Sequence, residues 1–74
     1  MKARETRQIR IRGVLCTFKI YDTYVVVVPP INRYKKIVEM IRTTDDGIPD
    51  PAIRRLVALA ERDWRDIAMF VKPE

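Results

Sequence analysis

The apolar residues in the first third of the chain change parity at Gly13, and this change constrains the fold more than any other feature. Before the glycine they occupy odd positions (Ile9 and Ile11), and after it they occupy even positions from Val14 onward. Because strand side chains alternate between faces, one continuous strand would place the two groups on opposite faces. A two-residue turn at Arg12-Gly13 instead pairs Ile11 with Val14 and restores a single apolar face.

A second turn at Asp22-Thr23 continues this pattern, since an aspartate side chain can bond the backbone that follows it. The turn pairs Ile20 with Val25 and Phe18 with Val27, so all three segments direct their apolar side chains to the same face. The residues predicted on that face are Ile9, Ile11, Val14, Cys16, Phe18, Ile20, Val25 and Val27.

The two turns predict a three-stranded antiparallel meander over residues 6–11, 14–21 and 24–29. Pro29-Pro30 ends the sheet, because proline has no N–H to donate to a ladder. One long strand kinked by a bulge at Gly13 is the alternative.

Two helices are predicted after the meander. Apolar residues with helical spacing predict the first over residues 31–43; they are Ile31, Tyr34, Ile37, Val38 and Ile41. After a linker at 44–50, the pair Asp50-Pro51 predicts the start of a second helix, over 51–71. A heptad-spaced seam on this second helix is the expected core or dimer contact. The seam consists of Ile53, Val57, Ala60, Trp64, Ile67 and Val71.

These elements predict a small two-layer α+β sandwich of order β-β-β-α-α, in which two helices cover one face of the meander. The 74 residues (1–74) form a single domain, with a basic tail at residues 1–5. A core of this size supplies only about 3–5 kcal/mol of net stability, and one cysteine allows no internal disulfide. We therefore expect a homodimer.

The residue inventory argues against an enzyme. The chain has no serine and no histidine, which excludes Ser-His and Cys-His nucleophile pairs within it. A lone cysteine without histidine is not a zinc site, and Cys16 is expected to be buried among apolar strand residues. Asp45 and Asp46, beside Gly47, are expected to form a solvated turn. We predict no catalytic residue, no metal and no cofactor.

The charge distribution indicates either an anionic partner or, as the alternative, a charge that only keeps a small protein soluble. The net charge is +5, and residues 1–44 carry ten Lys/Arg and three Asp/Glu, a net +7, whereas residues 45–74 carry a net −2. Such asymmetry favours nucleic acid or an acidic partner protein. An apolar signal segment is missing from the start of the sequence, and no apolar run approaches the ~18 residues of a membrane span. We therefore expect a cytoplasmic protein that does not enter a membrane.

The strand parity also predicts what the opposite face of the meander displays. Its residues are Gln8, Arg10, Arg12, Leu15, Thr17, Lys19, Tyr21, Tyr24, Val26 and Val28. Arginine and lysine contact phosphates, glutamine and arginine reach base edges, and tyrosines stack on bases. Alternate side chains of a strand can also read a groove of duplex DNA. We therefore interpret the chain as a small nucleic-acid-binding accessory or regulatory protein, for example in transcription regulation.

The candidate nucleic-acid-binding residues come from the tail, the three predicted strands and the first turn. They are Lys2, Arg4, Arg7, Gln8, Arg10, Arg12, Lys19, Tyr21 and Tyr24. The cations Arg33, Lys35 and Lys36 either extend this surface or form a solvated helix face.

Two alternatives to nucleic-acid binding remain open. The sheet face or the exposed edge of the third strand can bind or inhibit a partner protein, or the charges on the first strand only block edge-to-edge pairing.

Overall fold

The structure, a computed structural model, describes residues 2–67. One antiparallel sheet, in the order β1-β2-β3-β4, is followed by a single 3-10 turn and one α-helix in this part of the chain. The elements are β1 (Glu5–Ile11), β2 (Val14–Ile20), β3 (Tyr24–Val28), β4 (Ile37–Met40), the 3-10 turn (Thr43–Asp45) and α1 (Asp50–Asp63). The fold class is therefore α+β, with α1 packed on one face of the sheet.

The predicted meander is confirmed, including its register. Ile11 lies opposite Val14 across the first turn, and Phe18 lies opposite Val27 across the second. The alternative of one long bulged strand is wrong. The chain reverses at two residues with left-handed backbone, Arg12 (φ 52°) and Gly13 (φ 82°), as a two-residue hairpin loop of the I′ type requires.

The core lies between the sheet and α1, which contacts β4, β3 and β1. The buried apolar residues are Ile11, Val14, Cys16, Phe18, Ile20, Val25, Val27, Ala52, Ile53, Leu56, Ala60, Trp64 and Ile67. Ile9 is only partly buried against this core, because β1 is an edge strand. Burial raises the pKa of the Cys16 thiol, which lies against the Val14 carbonyl oxygen at 3.5 Å.

The prediction of a helix over residues 31–43 is wrong. Residues 37–40 form the edge strand β4, which pairs with β3 and places Ile37 opposite Val27. The apolar residues that suggested the helix do pack against the core, although they reach it from a loop and a strand; they are Ile31, Tyr34, Ile37 and Ile41. Pairing β-branched residues with the free edge of β3 satisfies backbone groups that a helix would leave exposed on that edge.

The second predicted helix exists but is shorter than predicted. It ends at Asp63 and is followed by a turn, while residues 68–71 of the prediction lie outside the described residues. Asp50, predicted as the N-cap, lies in the first turn, and Pro49 occupies the cap position without a side-chain hydrogen bond. Neither helical element of residues 2–67 has the length and apolar character needed to cross a membrane.

The seam of the second helix packs against the sheet. Ile53, Ala60, Trp64 and Ile67 are buried in the core, and Val57 is partly buried against it. Val71, the last residue of the predicted seam, lies outside the described residues. Heptad spacing is typical of a helix that packs along another helix; within residues 2–67 this seam packs on strands instead. The homodimer stays a prediction.

Candidate nucleic-acid interface

The face of the sheet opposite α1, here called the open face, has only half-buried and exposed side chains. Register places on it Thr6, Gln8, Arg10, Leu15, Thr17, Lys19, Tyr24, Val26, Val28, Val38 and Met40. Tyr21, directly after β2, stacks on Tyr24. Leu15, Val38 and Met40 are the most exposed large apolar residues here, with 40%, 52% and 57% of their surface accessible. The part of the chain that the structure describes therefore leaves one whole side of a four-stranded sheet uncovered.

The open face is divided into two sides. Its basic side, on β1 and β2, carries Gln8, Arg10 and Lys19 in exposed positions and includes one exposed apolar residue, Leu15, opposite Arg10. Its apolar side, on β3 and β4, carries Val26, Val28, Val38 and Met40. One register row crosses both sides, with Lys19 opposite Val26 and Val26 opposite Val38.

Charge is segregated between the two faces of the sheet. The strands contain two carboxylates, Glu5 and Glu39, and both lie on the face that α1 covers. Glu5 shares that face with the core residue Ile11, and Glu39 accepts a hydrogen bond from Arg55 of α1 at 2.6 Å. The strands of the described chain thus present cations and no carboxylate on the open face.

The cations of the basic side and of the adjoining Arg12-Gly13 turn are available to a ligand. Arg10, Arg12 and Lys19 are exposed, and none of them forms an ion pair with another residue of the range 2–67. Arg10 donates from Nη1 to the carbonyl oxygen of Gly13 at 3.2 Å, which holds its side chain near the hairpin turn. Three cations therefore lie along β1, its turn and β2 with free charge.

Two tyrosines form a stacked pair at the opposite end of the open face from the Arg12-Gly13 turn. The rings of Tyr21 and Tyr24 have centroids 4.5 Å apart and planes 20° apart. Tyr24 also lies opposite Met40 of β4, so the stack continues into the apolar side. Flat π surface beside aliphatic side chains is the combination on which nucleobases stack.

Arg7, one of the candidates from sequence, lies on the other face of the sheet. Its Nε donates to Glu5 Oε1 at 2.7 Å and its Nη1 donates to Asp50 Oδ1 at 2.9 Å, and these bonds raise the pKa of the guanidinium. Arg7 occupies an odd position, as Ile9 and Ile11 do. Strand alternation alone therefore predicts that Arg7 lies on the covered face and not among the nucleic-acid-binding residues. It lines a cleft of about 280 Å³ together with Arg4, Glu5, Ile20, Gly47 and Pro49.

Arg4 is also engaged in an ion pair, with its Nε 3.3 Å from Asp22 Oδ1 on the exposed surface. Lys2 is exposed and precedes β1. The structure therefore brings Gln8, Arg10 and Lys19 together on one surface and does not bring Arg7 to it.

The remaining predicted cations, Arg33, Lys35 and Lys36, lie in the loop 29–36 and not on a helix. Because β3 and β4 are antiparallel, this loop leaves the sheet at the same end as the Arg12-Gly13 turn. All three residues are exposed. The topology thus brings basic residues from two separate loops to one end of the sheet, although Ile31 and Tyr34 of the second loop pack against the core on the covered side.

Two features of the structure are not predicted by the sequence: Val38 and Met40 in the site, and an ion-paired carboxylate outside it. Val38 and Met40 were assigned to a helix, although their alternation with Ile37 and Glu39 is also the period of a strand. Asp45, assigned to a solvated turn, accepts a hydrogen bond from Arg55 Nη2 at 3.0 Å, and this bond lowers the pKa of its carboxyl group. Asp46 beside it is exposed with left-handed backbone, as a turn residue should be.

Comparisons of the chain with models of protein families, with curated proteins and with solved structures found no match. The geometry and charge of the open face are therefore the basis for assigning a function.

Proposed function

We propose that this protein binds nucleic acid on the open face of its sheet and has an accessory or regulatory role without catalysis. The observation that carries the proposal is the segregation of charge. Arg10, Arg12 and Lys19 occupy the open face and its turn without ion-pair partners in residues 2–67, while the strand carboxylates Glu5 and Glu39 lie on the covered face. This arrangement favours the binding of a polyanion, because the phosphates of the ligand contact cations and no repelling carboxylate.

Each part of the surface has a chemical role in the proposal. The guanidinium groups of Arg10 and Arg12 and the ammonium group of Lys19 contact phosphates, which fixes the position of the ligand and gives most of its affinity. The amide of Gln8 reaches base edges. The stacked tyrosines and the apolar side supply surface for base contacts.

The backbone at Arg12 gives a second, independent support. A left-handed conformation at a residue other than glycine, asparagine or aspartate costs about 1–2 kcal/mol. A two-residue hairpin turn of this kind favours asparagine at that position. The presence of arginine at Arg12 (φ 52°) is consistent with a requirement for its guanidinium group at the tip of the hairpin.

The direct test is whether the purified protein carries and rebinds nucleic acid. We expect a 260/280 nm absorbance ratio above that of the protein alone, which falls after a high-salt wash. The washed protein should then bind labelled oligonucleotides, with affinity that decreases steeply between about 50 and 200 mM salt. Failure to bind any single-stranded or duplex oligonucleotide at low salt would contradict the proposal.

The second candidate function is binding of a partner protein through the same face. The high exposure of Val38 and Met40 favours it, because protein interfaces bury apolar residues of this kind. The predicted use of the β3 edge is wrong, since β4 occupies that edge. A protein interface over the apolar side would show little salt dependence, which separates the two functions.

A further inference from the structure

We infer that the open face binds a single, unpaired nucleic-acid strand and not a duplex. This inference depends on the proposed function and narrows the class of its ligand. Two features of the open face carry it: the width of the sheet, and the division between a basic and an apolar side.

The sheet is too wide for a groove of duplex DNA. Its four strands, spaced about 4.8 Å apart, extend over about 14 Å between the outer strand axes before side chains are added. The major groove is about 12 Å wide and admits an α-helix or a two-stranded ribbon. The four-stranded open face as a whole therefore does not fit the major groove of a regular duplex, and it lies against the outside of a duplex that is not deformed.

The apolar side would be mismatched against the outside of a duplex. That exterior consists of phosphates and sugars, and base pairing hides the faces of the bases within the stack. Val38 and Met40, each more than half exposed, would then lie against charged groups or water without apolar contact. An unpaired strand has free base faces that can cover these side chains.

The division of the open face matches the two halves of a nucleotide. Phosphates would follow Arg10 and Lys19 on the basic side, and bases would extend across the sheet towards Val38 and Met40 on the apolar side. At the end of the sheet, an unpaired base can extend the Tyr21–Tyr24 stack. A uniformly cationic surface would not distinguish the phosphate backbone of a nucleic-acid strand from its bases.

The test compares three ligands of one sequence: single-stranded DNA, single-stranded RNA and the DNA duplex, measured by fluorescence anisotropy at about 50 mM salt. An oligonucleotide of about 12 nucleotides covers a surface of this size. We expect at least one of the single strands to bind tenfold or more tightly than the duplex, and the comparison of DNA with RNA identifies which strand is preferred.

A double variant of the apolar side tests where the bases lie. Val38→Thr with Met40→Gln keeps the approximate size of both side chains, and we expect about tenfold weaker binding of the preferred single strand. The slope of log K against log salt should stay that of the unchanged protein, because no cation is removed. Ile48→Gln is the control, since Ile48 is 53% exposed and lies in the linker before α1.

The outcomes separate this inference from the function on which it depends. Duplex binding as tight as that of both single strands would contradict the inference and leave the proposed function intact, with the β1–β2 hairpin as the element that enters the groove. Unchanged single-strand affinity in the double variant would also contradict it. If the single-stranded DNA, the single-stranded RNA and the duplex all fail to bind at low salt, the proposed function fails together with the inference.

Discussion

The guanidinium group of Arg55 on α1 donates from Nε to Glu39 Oε1 on β4 at 2.6 Å. The same guanidinium group donates from Nη2 to Asp45 Oδ2 at 3.0 Å and to the carbonyl oxygen of Met40 at 3.3 Å. One side chain therefore joins α1 to the edge strand and to the 3-10 turn. It also neutralises a carboxylate, Glu39, that β4 directs towards the covered side of the sheet.

Replacement of Arg55 should destabilise the fold more than replacement of its neighbour on α1. Arg55→Met leaves the carboxylates of Glu39 and Asp45, with 17% and 10% of their side chains exposed, without their cation. Arg54→Met removes an exposed arginine with no ion pair to another described residue. We expect a clearly lower Tm for Arg55→Met and an almost unchanged Tm for Arg54→Met by circular dichroism. Equal Tm values would show that the network does not contribute to stability.

The pKa of Asp45 predicts loss of stability in acid. Its hydrogen bond from Arg55 lowers the pKa of the carboxyl group in the folded state. The carboxylate therefore contributes fully to stability above its unfolded pKa of about 4, and this contribution is lost as the pH falls through the lower, folded-state pKa. Urea midpoints should fall between pH 7 and pH 3. In Asp45→Asn the fall should be smaller; an identical fall would contradict this assignment.

The β-meander could be predicted because its information is local. The parity of Ile9, Ile11 and Val14, together with a glycine between them, determines both the turn and the register. The same parity places Arg7 on the covered face, and only the assembled structure shows that Glu5 and Asp50 bind it there. The sequence thus predicts on which face of the sheet a charged residue lies, but it does not predict which residue it binds there.

The strand β4 could not be predicted from the pattern of its own segment. Ile37 and Ile41 fit a helical period and also fit a loop and strand that reach the same core. Contacts with residues distant in the sequence decide between the helix and the strand. The free edge of β3 accepts a partner, and Arg55, sixteen residues further on, neutralises Glu39. Half of the apolar side of the open face was missed for this reason.

Ile67 tests whether the turn after α1 belongs to the core. Ile67 is fully buried, and its N–H donates to the Trp64 carbonyl oxygen at 2.9 Å. Ile67→Val should lower the free energy of unfolding by about 0.5–1.5 kcal/mol. Ile48→Val, the same change at an exposed residue, should lower it by less than about 0.5 kcal/mol. Urea denaturation measures both, and equal losses would place Ile67 outside the core.

Arg12→Asn should separate stability from binding. Asparagine tolerates the left-handed backbone at this position better than arginine does, so the free energy of unfolding should rise by up to about 1 kcal/mol. Removal of the guanidinium group should at the same time weaken binding of nucleic acid. Thermal unfolding and anisotropy on the same sample measure both effects. A variant that gains stability and binds as before would show that Arg12 has no role in binding.

The salt dependence of binding after removal of the Arg10 and Arg12 charges tests the account most directly. The double variant Arg10→Ala with Arg12→Ala removes one exposed cation of the open face and one of the hairpin turn at its end. The control, Arg54→Ala with Arg65→Ala, removes two exposed cations from α1 and the turn after it. The net charge changes equally in both. For a single strand we predict that the first variant lowers the slope of log K against log salt by about 1.4, or about 0.7 for each phosphate that the protein no longer neutralises. The second variant should keep the slope of the unchanged protein. Equal slopes in the two variants would contradict the assignment of the open face as the binding surface.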